Sequence, residues 1–162
     1  MRKILINLLL ILSLNISAQE ILSLKDRAEV IMNLQKDRLD NLLPSIMLKN
    51  DIDMWVLMTR EYNEDPVIKT MLPPTWLNAR RRTILVFSRN IQTGKFKSVA
   101  ITRYPFGKNI PSIWIKEKQP NQLKALSDYI EKENPKKIGI NFSKYESLEK
   151  QINIKSILDF KN

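Results

Sequence analysis

The sequence predicts an α/β domain in which a mixed β-sheet is flanked by helices. Residues 52–58 form a nearly continuous apolar run, which is typical of a strand buried on both faces. Two further strand patterns, residues 83–88 and 95–103, lie on either side of a polar turn and predict an antiparallel hairpin. Helical periodicity precedes and follows these strands, as in α/β proteins. The 162 residues are enough for one domain of ordinary size.

The first helix is predicted from Ser23, because Asp26 follows it as in an N-terminal capping arrangement. Apolar residues then recur at helical spacing and predict the face that packs on the core: Leu24, Ala28, Ile31 and Leu34. The stripe resumes after a small slip, at Leu39, Leu42 and Leu43. Pro44 predicts a kink or a restart of the helix, because proline lacks an amide donor.

Residues 59–78 contain three prolines and no clear periodicity, so they are predicted to form a long ordered connection. Apolar side chains are expected to hold it against the core: Val67, Ile68, Met71, Leu72 and Trp76. Ordered loops of this length are often functional.

The C-terminal half predicts shorter elements. Residues 113–115 indicate a short strand, and Pro120 is suited to the first position of a helix that Asn134 and Pro135 end. Residues 138–140 indicate another short strand. Ser143 and Glu146 form a capping box for a last helix, and residues 154–158 extend that helix or form a final strand.

The N-terminus indicates export. Arg2 and Lys3 precede an apolar run over residues 4–14, and small residues follow before Gln19. The run is shorter than the ~20 residues that span a bilayer, so a cleaved secretory signal over residues 1–18 is predicted, with an uncleaved anchor as the alternative. Residues 19–162 are then a periplasmic or extracellular domain without a stable membrane anchor.

The formal charge of the chain is +10, and the mature chain keeps 25 basic against 17 acidic residues, a charge of +8. Such a charge favours anionic partners, so a basic envelope module that binds acidic ligands is one functional hypothesis. The basic residues are scattered among acids and the chain is predicted to be exported, so no nucleic-acid partner is expected. With no cysteine, disulfides and thiolate chemistry are excluded.

The most acidic segment follows the first strand. Glu61, Glu64 and Asp65 resemble a paired-carboxylate or cation site, which would make the chain a hydrolase. The preferred interpretation is a structural ion-pair network with the arginines of residues 80–82, because charges turned inward are normally paired.

The arginines of residues 80–82 have a second interpretation, as a grip for an anion or a carboxylate. They lead into a strand, in which neighbouring side chains point to opposite faces, so only part of the triplet can reach one ligand. Trp76 is the tryptophan expected to make an exposed contact, whereas Trp55 fits the core. The chain has no histidine and no Gly-x-Ser-x-Gly elbow, so a serine nucleophile is not expected.

Five segments carry a resemblance to a known family: residues 38–44, 52–55, 60–66, 79–82 and 137–141. Their order resembles the N-terminal, non-catalytic domain of exported creatinase/prolidase-like Xaa-Pro metallopeptidases. The resemblance implies a ribonuclease-H-like fold that precedes a pita-bread catalytic domain with two divalent metals. That domain's ligands include a histidine, so the resemblance implies no metal or other cofactor in this chain and no catalysis by it alone.

The resemblance also implies roles in oligomer contacts and in shaping a substrate entrance, with a catalytic peptidase domain or a second copy as partner. The residues expected to serve these roles are Arg60, Glu61, Tyr62, Asn63, Glu64, Asp65, Trp76, Arg80, Arg81 and Arg82.

Overall fold

The computed structural model describes residues 21–90 and 92–141. In chain order its elements are α1 (Leu24–Asp37), a π-helical turn (Arg38–Leu42), α2 (Leu43–Lys49), β1 (Met54–Arg60), α3 (Pro66–Met71), β2 (Arg82–Arg89), β3 (Phe96–Ala100), α4 (Gln122–Glu133) and β4 (Ile138–Ile140). The predicted signal segment and the elements predicted beyond residue 142 lie outside the described residues.

The four strands form one mixed sheet in the order β3-β2-β1-β4. β1 pairs antiparallel with β2 from Met54 opposite Ser88 to Arg60 opposite Arg82, and β2 pairs antiparallel with β3. β4 pairs parallel with the first half of β1. The predicted α/β class with a mixed sheet is therefore confirmed.

Apolar side chains cover both faces of the sheet. On one face, Leu57, Leu85 and Phe87 pack with buried residues of the π-helical turn, α2 and α3. On the other, Val56 and Val86 pack with Leu126 and Ile130 of α4 and their neighbours. This arrangement confirms that the first strand is buried on both faces, because successive side chains of a strand point in opposite directions.

The π-helical turn accounts for the slip in the apolar stripe. Ser23 caps α1 by accepting from the Asp26 amide, as predicted. The Leu43 amide later donates to the Arg38 carbonyl, five residues back, which inserts one extra residue into the helical turn. The insertion brings Leu39, Leu43 and Met47 into the core, and Pro44 lies in the first turn of α2, where its missing donor is tolerated.

The predicted core face of α1 is wrong. Leu24, Ile31 and Leu34 are 79%, 41% and 49% exposed among the described residues, while the buried residue of the helix is Gln35. The Gln35 amide donates to the Met71 carbonyl, and its Oε1 accepts from Asn109 Nδ2 at 2.8 Å. Polar contacts near the C-terminal end thus attach α1, and its apolar stripe remains uncovered by the described part of the chain.

Three smaller predictions also need correction. Residues 66–71 form α3 inside the connection predicted to be irregular, because Asp65 caps it and Pro66 suits a first turn. Residues 113–115 are not a strand, since only a single bridge joins Ser112 to Ala100. α4 begins at Gln122 behind an Asn121 cap, two residues after Pro120.

Two other predictions are confirmed. α4 ends where expected, with Asn134 in the left-handed conformation at a φ of 48°. The β2–β3 hairpin is present, although β3 is shorter than the predicted 95–103. Within the described residues, no helix has the length and apolarity needed to cross a membrane.

Asp53, just before β1, connects the sheet to its distant fourth strand. One carboxylate oxygen accepts from the Lys136 and Lys137 amides at 3.0 and 3.1 Å, and the other accepts from Arg89 Nη2 at 2.7 Å. The side chain is buried, and these donors hold its pKa below the ordinary range, with the Arg89 hydrogen bond as the largest cause. Asp53 therefore fixes the point at which the chain returns to β4.

Candidate functional site

The acidic loop, residues 61–65, uses its glutamates to hold backbone. Glu61 Oε2 accepts from the Arg81 amide at 3.1 Å, and the Glu61 amide donates to the Arg81 carbonyl at 2.7 Å. Glu64 Oε1 accepts from the amides of Tyr62 and Ala79 at 3.0 and 3.1 Å. The two glutamates thus tie the acidic loop to residues 79–81.

Asp65 has the most contacts of the three acids and is buried. Its Oδ1 accepts from the Val67 and Ile68 amides at 2.8 and 3.4 Å, as the cap of α3. Its Oδ2 accepts from Asn141 Nδ2 at 2.7 Å, just after β4, and its own amide donates to Thr59 Oγ1 at 2.9 Å. Asp65 therefore joins β1, α3 and the end of β4.

The predicted ion-pair network between the acidic loop and the arginines is wrong. Among the described residues, the ion pairs within 4.0 Å involve other side chains, such as Arg89 with Asp53 and Lys97 with Glu133. The carboxylates of the acidic loop bind backbone amides, because the turn at residues 79–81 and the start of α3 expose unpaired N–H groups beside them. The guanidinium groups of residues 80–82 therefore do not pair with the carboxylates of the acidic loop.

The other predicted residues of this region, Arg60, Tyr62 and Asn63, are exposed or half-buried. Tyr62 is 82% exposed and has a φ of 65°, the left-handed region. Asn63 closes the turn by donating its amide to the Arg60 carbonyl at 3.1 Å, and its carbonyl accepts from Thr59 Oγ1 at 3.0 Å. Arg60 is exposed and lies directly opposite Arg82 in the sheet, so two cations share the end of the β1–β2 pair.

A cleft of about 270 Å³ lies next to the start of β2, and we call it the cationic cleft. Its lining includes five basic residues: Arg80, Arg81, Arg82, Arg103 and Lys116. It also includes three aromatic residues: Trp76, Tyr104 and Trp114. No acidic side chain of the described residues lines it. The cationic cleft can therefore supply positive charge and aromatic surface to a ligand.

Trp76 fixes one side of the cationic cleft. Its ring packs edge-on against the buried Phe106, with ring centroids 5.2 Å apart. The Arg80 guanidinium lies over the same ring, 4.5 Å from the centroid, in a cation–π contact. The prediction that Trp76 makes an exposed contact is modified by this packing, since the ring is half-buried and partly covered by Arg80.

Hydrogen bonds connect the backbone segments around the cationic cleft. Gln122 Nε2, in the first turn of α4, donates to the carbonyls of Arg82 and Ile101 at 3.1 and 2.6 Å. Thr83 Oγ1 donates to the Arg80 carbonyl at 3.1 Å, and Thr102 Oγ1 donates to the Tyr104 carbonyl at 2.6 Å. These hydrogen bonds thus hold together the backbone segments that carry Arg82 and Arg103.

The structure brings four of the predicted residues together in the cationic cleft: Trp76, Arg80, Arg81 and Arg82. The prediction that only part of the arginine triplet can reach one ligand is wrong, because only Arg82 belongs to β2 and strand alternation does not apply to the two arginines before it. Arg60 and the acidic loop are outside its lining, although Glu61 contacts Arg81 directly. Sequence reasoning missed Arg103, Lys116 and Gln122, which are distant along the chain. The only local signal for Gln122 was its place at the start of a helix, and Arg103 and Lys116 gave none.

Among the described residues, no group of three or more acidic side chains is placed to hold a metal ion. No family model, no curated protein and no solved structure matches the chain.

Proposed function

We propose that this chain is a non-catalytic N-terminal domain of an exported creatinase/prolidase-like Xaa-Pro metallopeptidase. Its role is to associate with a catalytic peptidase domain or a second copy and to shape the route to a substrate. A mixed sheet with helices on both faces agrees with the coarse architecture that the family resemblance implies. The finer ribonuclease-H-like fold is part of the proposal.

One observation carries the proposal: four of the five segments that resemble the family are joined to each other in space. Residues 60–66 bind residues 79–82 through the Glu61 and Glu64 carboxylates. Residues 60–66 also bind residues 137–141 through Asp65 and Asn141. Residues 52–55 bind the same segment, since Trp55 Nε1 donates to Asn141 Oδ1 at 2.9 Å. Because these four segments contact one another, their similarity to the family supports a fold shared with it rather than four separate chance similarities.

The same contacts weaken the hydrolase hypothesis for the acidic loop. A general acid–base pair needs carboxylates that converge on one reacting group. Glu61, Glu64 and Asp65 instead accept from amides of three different segments, and Asp65 is buried behind these contacts. The geometry favours a structural role for the loop.

The apolar stripe of α1 supports association with another protein surface. Leu24, Ile31 and Leu34 are exposed among the described residues, on a helix held mainly by polar contacts near its C-terminal end. Apolar surface that is removed from water on association contributes about 25 cal/mol per Å². The complex with a partner that covers this stripe would be stabilised by that burial.

The test is a peptidase assay on the purified chain with added Mn²⁺ or Zn²⁺ and a peptide that begins with Xaa-Pro, with an active Xaa-Pro aminopeptidase as the positive control. We expect no hydrolysis by the chain alone. Metal-dependent turnover would contradict the proposal. Turnover that Glu64→Gln abolishes without a change in melting temperature would establish the acidic-loop hydrolase instead.

A further inference from the structure

We propose that the cationic cleft binds a small organic anion that carries at least two negative charges and a flat apolar group. A phosphate monoester and a dicarboxylate of an aromatic ring share this chemistry. The inference goes beyond the proposed peptidase-domain function and does not depend on it, because it follows from the lining of the cationic cleft alone.

Charge is the first argument. Five cations line the cationic cleft, and within the described part of the chain none of their charged groups has a carboxylate within 4.0 Å. The Glu61 carboxylate contacts Arg81 at its backbone amide instead. Arg60 adds a sixth positive charge opposite Arg82 in the sheet. Like charges that line one cleft repel each other, and a bound anion relieves the repulsion. A dianion relieves more of it than a monoanion does.

The kind of cation is the second argument. Four of the five are arginines, whose planar guanidinium presents paired N–H donors that match the oxygens of carboxylates and phosphates. Gln122, the first residue of α4, also lies in the lining, so the positive end of that 12-residue helix adds to the same field. The site is therefore suited to an oxyanion.

The aromatic lining and the size define the rest of the ligand. Tyr104 is 58% exposed and Trp114 is half-buried, so each offers ring surface to a flat group, whereas Arg80 occupies the ring of Trp76. A volume of about 270 Å³ is near the lower end of small-molecule pockets, which begin at roughly 300 Å³. A single ring with one or two anionic groups fits this space, whereas most of a polymer would lie outside it.

Backbone strain at Arg81 is a further argument. Arg81 has a φ of 49°, a left-handed conformation that is unfavourable for an arginine. Glu61 holds it there through both its amide and its carboxylate. A turn of this kind is most easily made by glycine. The presence of arginine is accounted for if its side chain is needed in the cationic cleft.

The experiment is calorimetric titration of the full chain at low salt with phenyl phosphate, which combines the dianion and the ring. Inorganic phosphate tests the charge alone, phenol tests the ring alone, and phthalate replaces the phosphate by two carboxylates. We expect phenyl phosphate or phthalate to bind most tightly, inorganic phosphate more weakly, and phenol not at all. The order of phenyl phosphate and phthalate identifies the oxyanion. Equal affinity for phenyl phosphate and inorganic phosphate would overturn the aromatic part of the proposal.

Two double variants are compared. The cleft pair combines Arg81→Gln with Arg103→Gln. The control pair combines Arg27→Gln with Lys69→Gln, which removes the same charge from exposed helical positions outside the cationic cleft. The cleft pair is expected to weaken binding at least about tenfold, and the control pair less than about twofold. Equal losses in both pairs would show that net charge attracts the probe, and would overturn the site. Thermal melting checks folding, and Arg103→Gln alone, an exposed substitution, gives the same test if the double variant does not fold.

Discussion

Asp53 shows how one buried acid makes stability depend on pH. Its folded-state pKa is lowered from the ordinary value of 3.8, mainly by Arg89 and further by the Lys136 and Lys137 amides, while burial opposes the shift. The ionised form is thus favoured by folding, so the stabilisation is complete above the ordinary pKa. It is lost as the pH falls from that value through the folded-state pKa.

We therefore expect Asp53→Asn to lower the free energy of unfolding at pH 7 by roughly 2 kcal/mol, because a charged hydrogen-bond acceptor is lost. The difference from the parent should shrink below the ordinary pKa, as measured by urea unfolding at several pH values. Asp51→Asn is the control, since Asp51 is exposed and lies 4.0 Å from the same Arg89 group. An equal effect of both changes would contradict the role given to Asp53.

Arg81 allows backbone strain to be separated from the function of the side chain. Arg81→Gly and Arg81→Ala both remove the guanidinium, but only glycine adopts the φ of 49° without strain. We expect the glycine variant to be more stable than the alanine variant by about 1 kcal/mol in chemical unfolding. Equal stabilities would indicate that the turn relaxes and that the strain argument is wrong.

At the scale of single elements, α3 depends on its cap. The Asp65 carboxylate accepts from two amides at the start of this six-residue helix and from Asn141 beside β4. Asp65→Ala is expected to cost roughly 2 kcal/mol or more of unfolding free energy, since a cap and a buried acceptor are lost together. Asp40→Ala, which removes an exposed acid paired with Lys36 four residues away, is the control and should cost less than about 0.5 kcal/mol.

The α1 helix yields a prediction about association. If a second copy covers its apolar stripe, then Ile31→Glu should shift the chain toward monomers in analytical ultracentrifugation over a range of concentrations. Lys25→Glu changes an exposed polar position of the same helix and should have a smaller effect. A parent chain that is monomeric at all concentrations would remove self-association from the proposed roles.

At the scale of the whole molecule, the sequence predicted the sheet better than the surfaces around it. The apolar run at residues 52–58 and the hairpin signal were sufficient for β1, β2 and β3, because burial on two faces leaves a clear pattern. The stripe of α1 had equally clear periodicity. Periodicity defines the apolar face of a helix and does not identify what covers it, so the predicted core contact was wrong.

The candidate site was harder to predict for a different reason. Charge spacing suggested that the acidic loop and the arginines pair, but backbone amides are equally good partners for carboxylates. The turn at residues 79–81 determines which backbone amides lie unpaired beside Glu61 and Glu64. The residue types in that segment do not predict the turn. Once the acids bind backbone, the arginines are left to gather with Arg103 and Lys116, an arrangement that depends on tertiary structure.

The position of β4 has a consequence for how the chain is made. β1, β2 and β3 emerge in order, but the parallel partner of β1 follows about 80 residues behind it. At synthesis rates of about 5–20 residues per second, the free edge of β1 waits roughly 4–16 s for β4. An apolar strand with an open edge is a template for pairing with other chains. A lower expression level should therefore increase the soluble yield, because fewer nascent chains are present to meet while that edge is open.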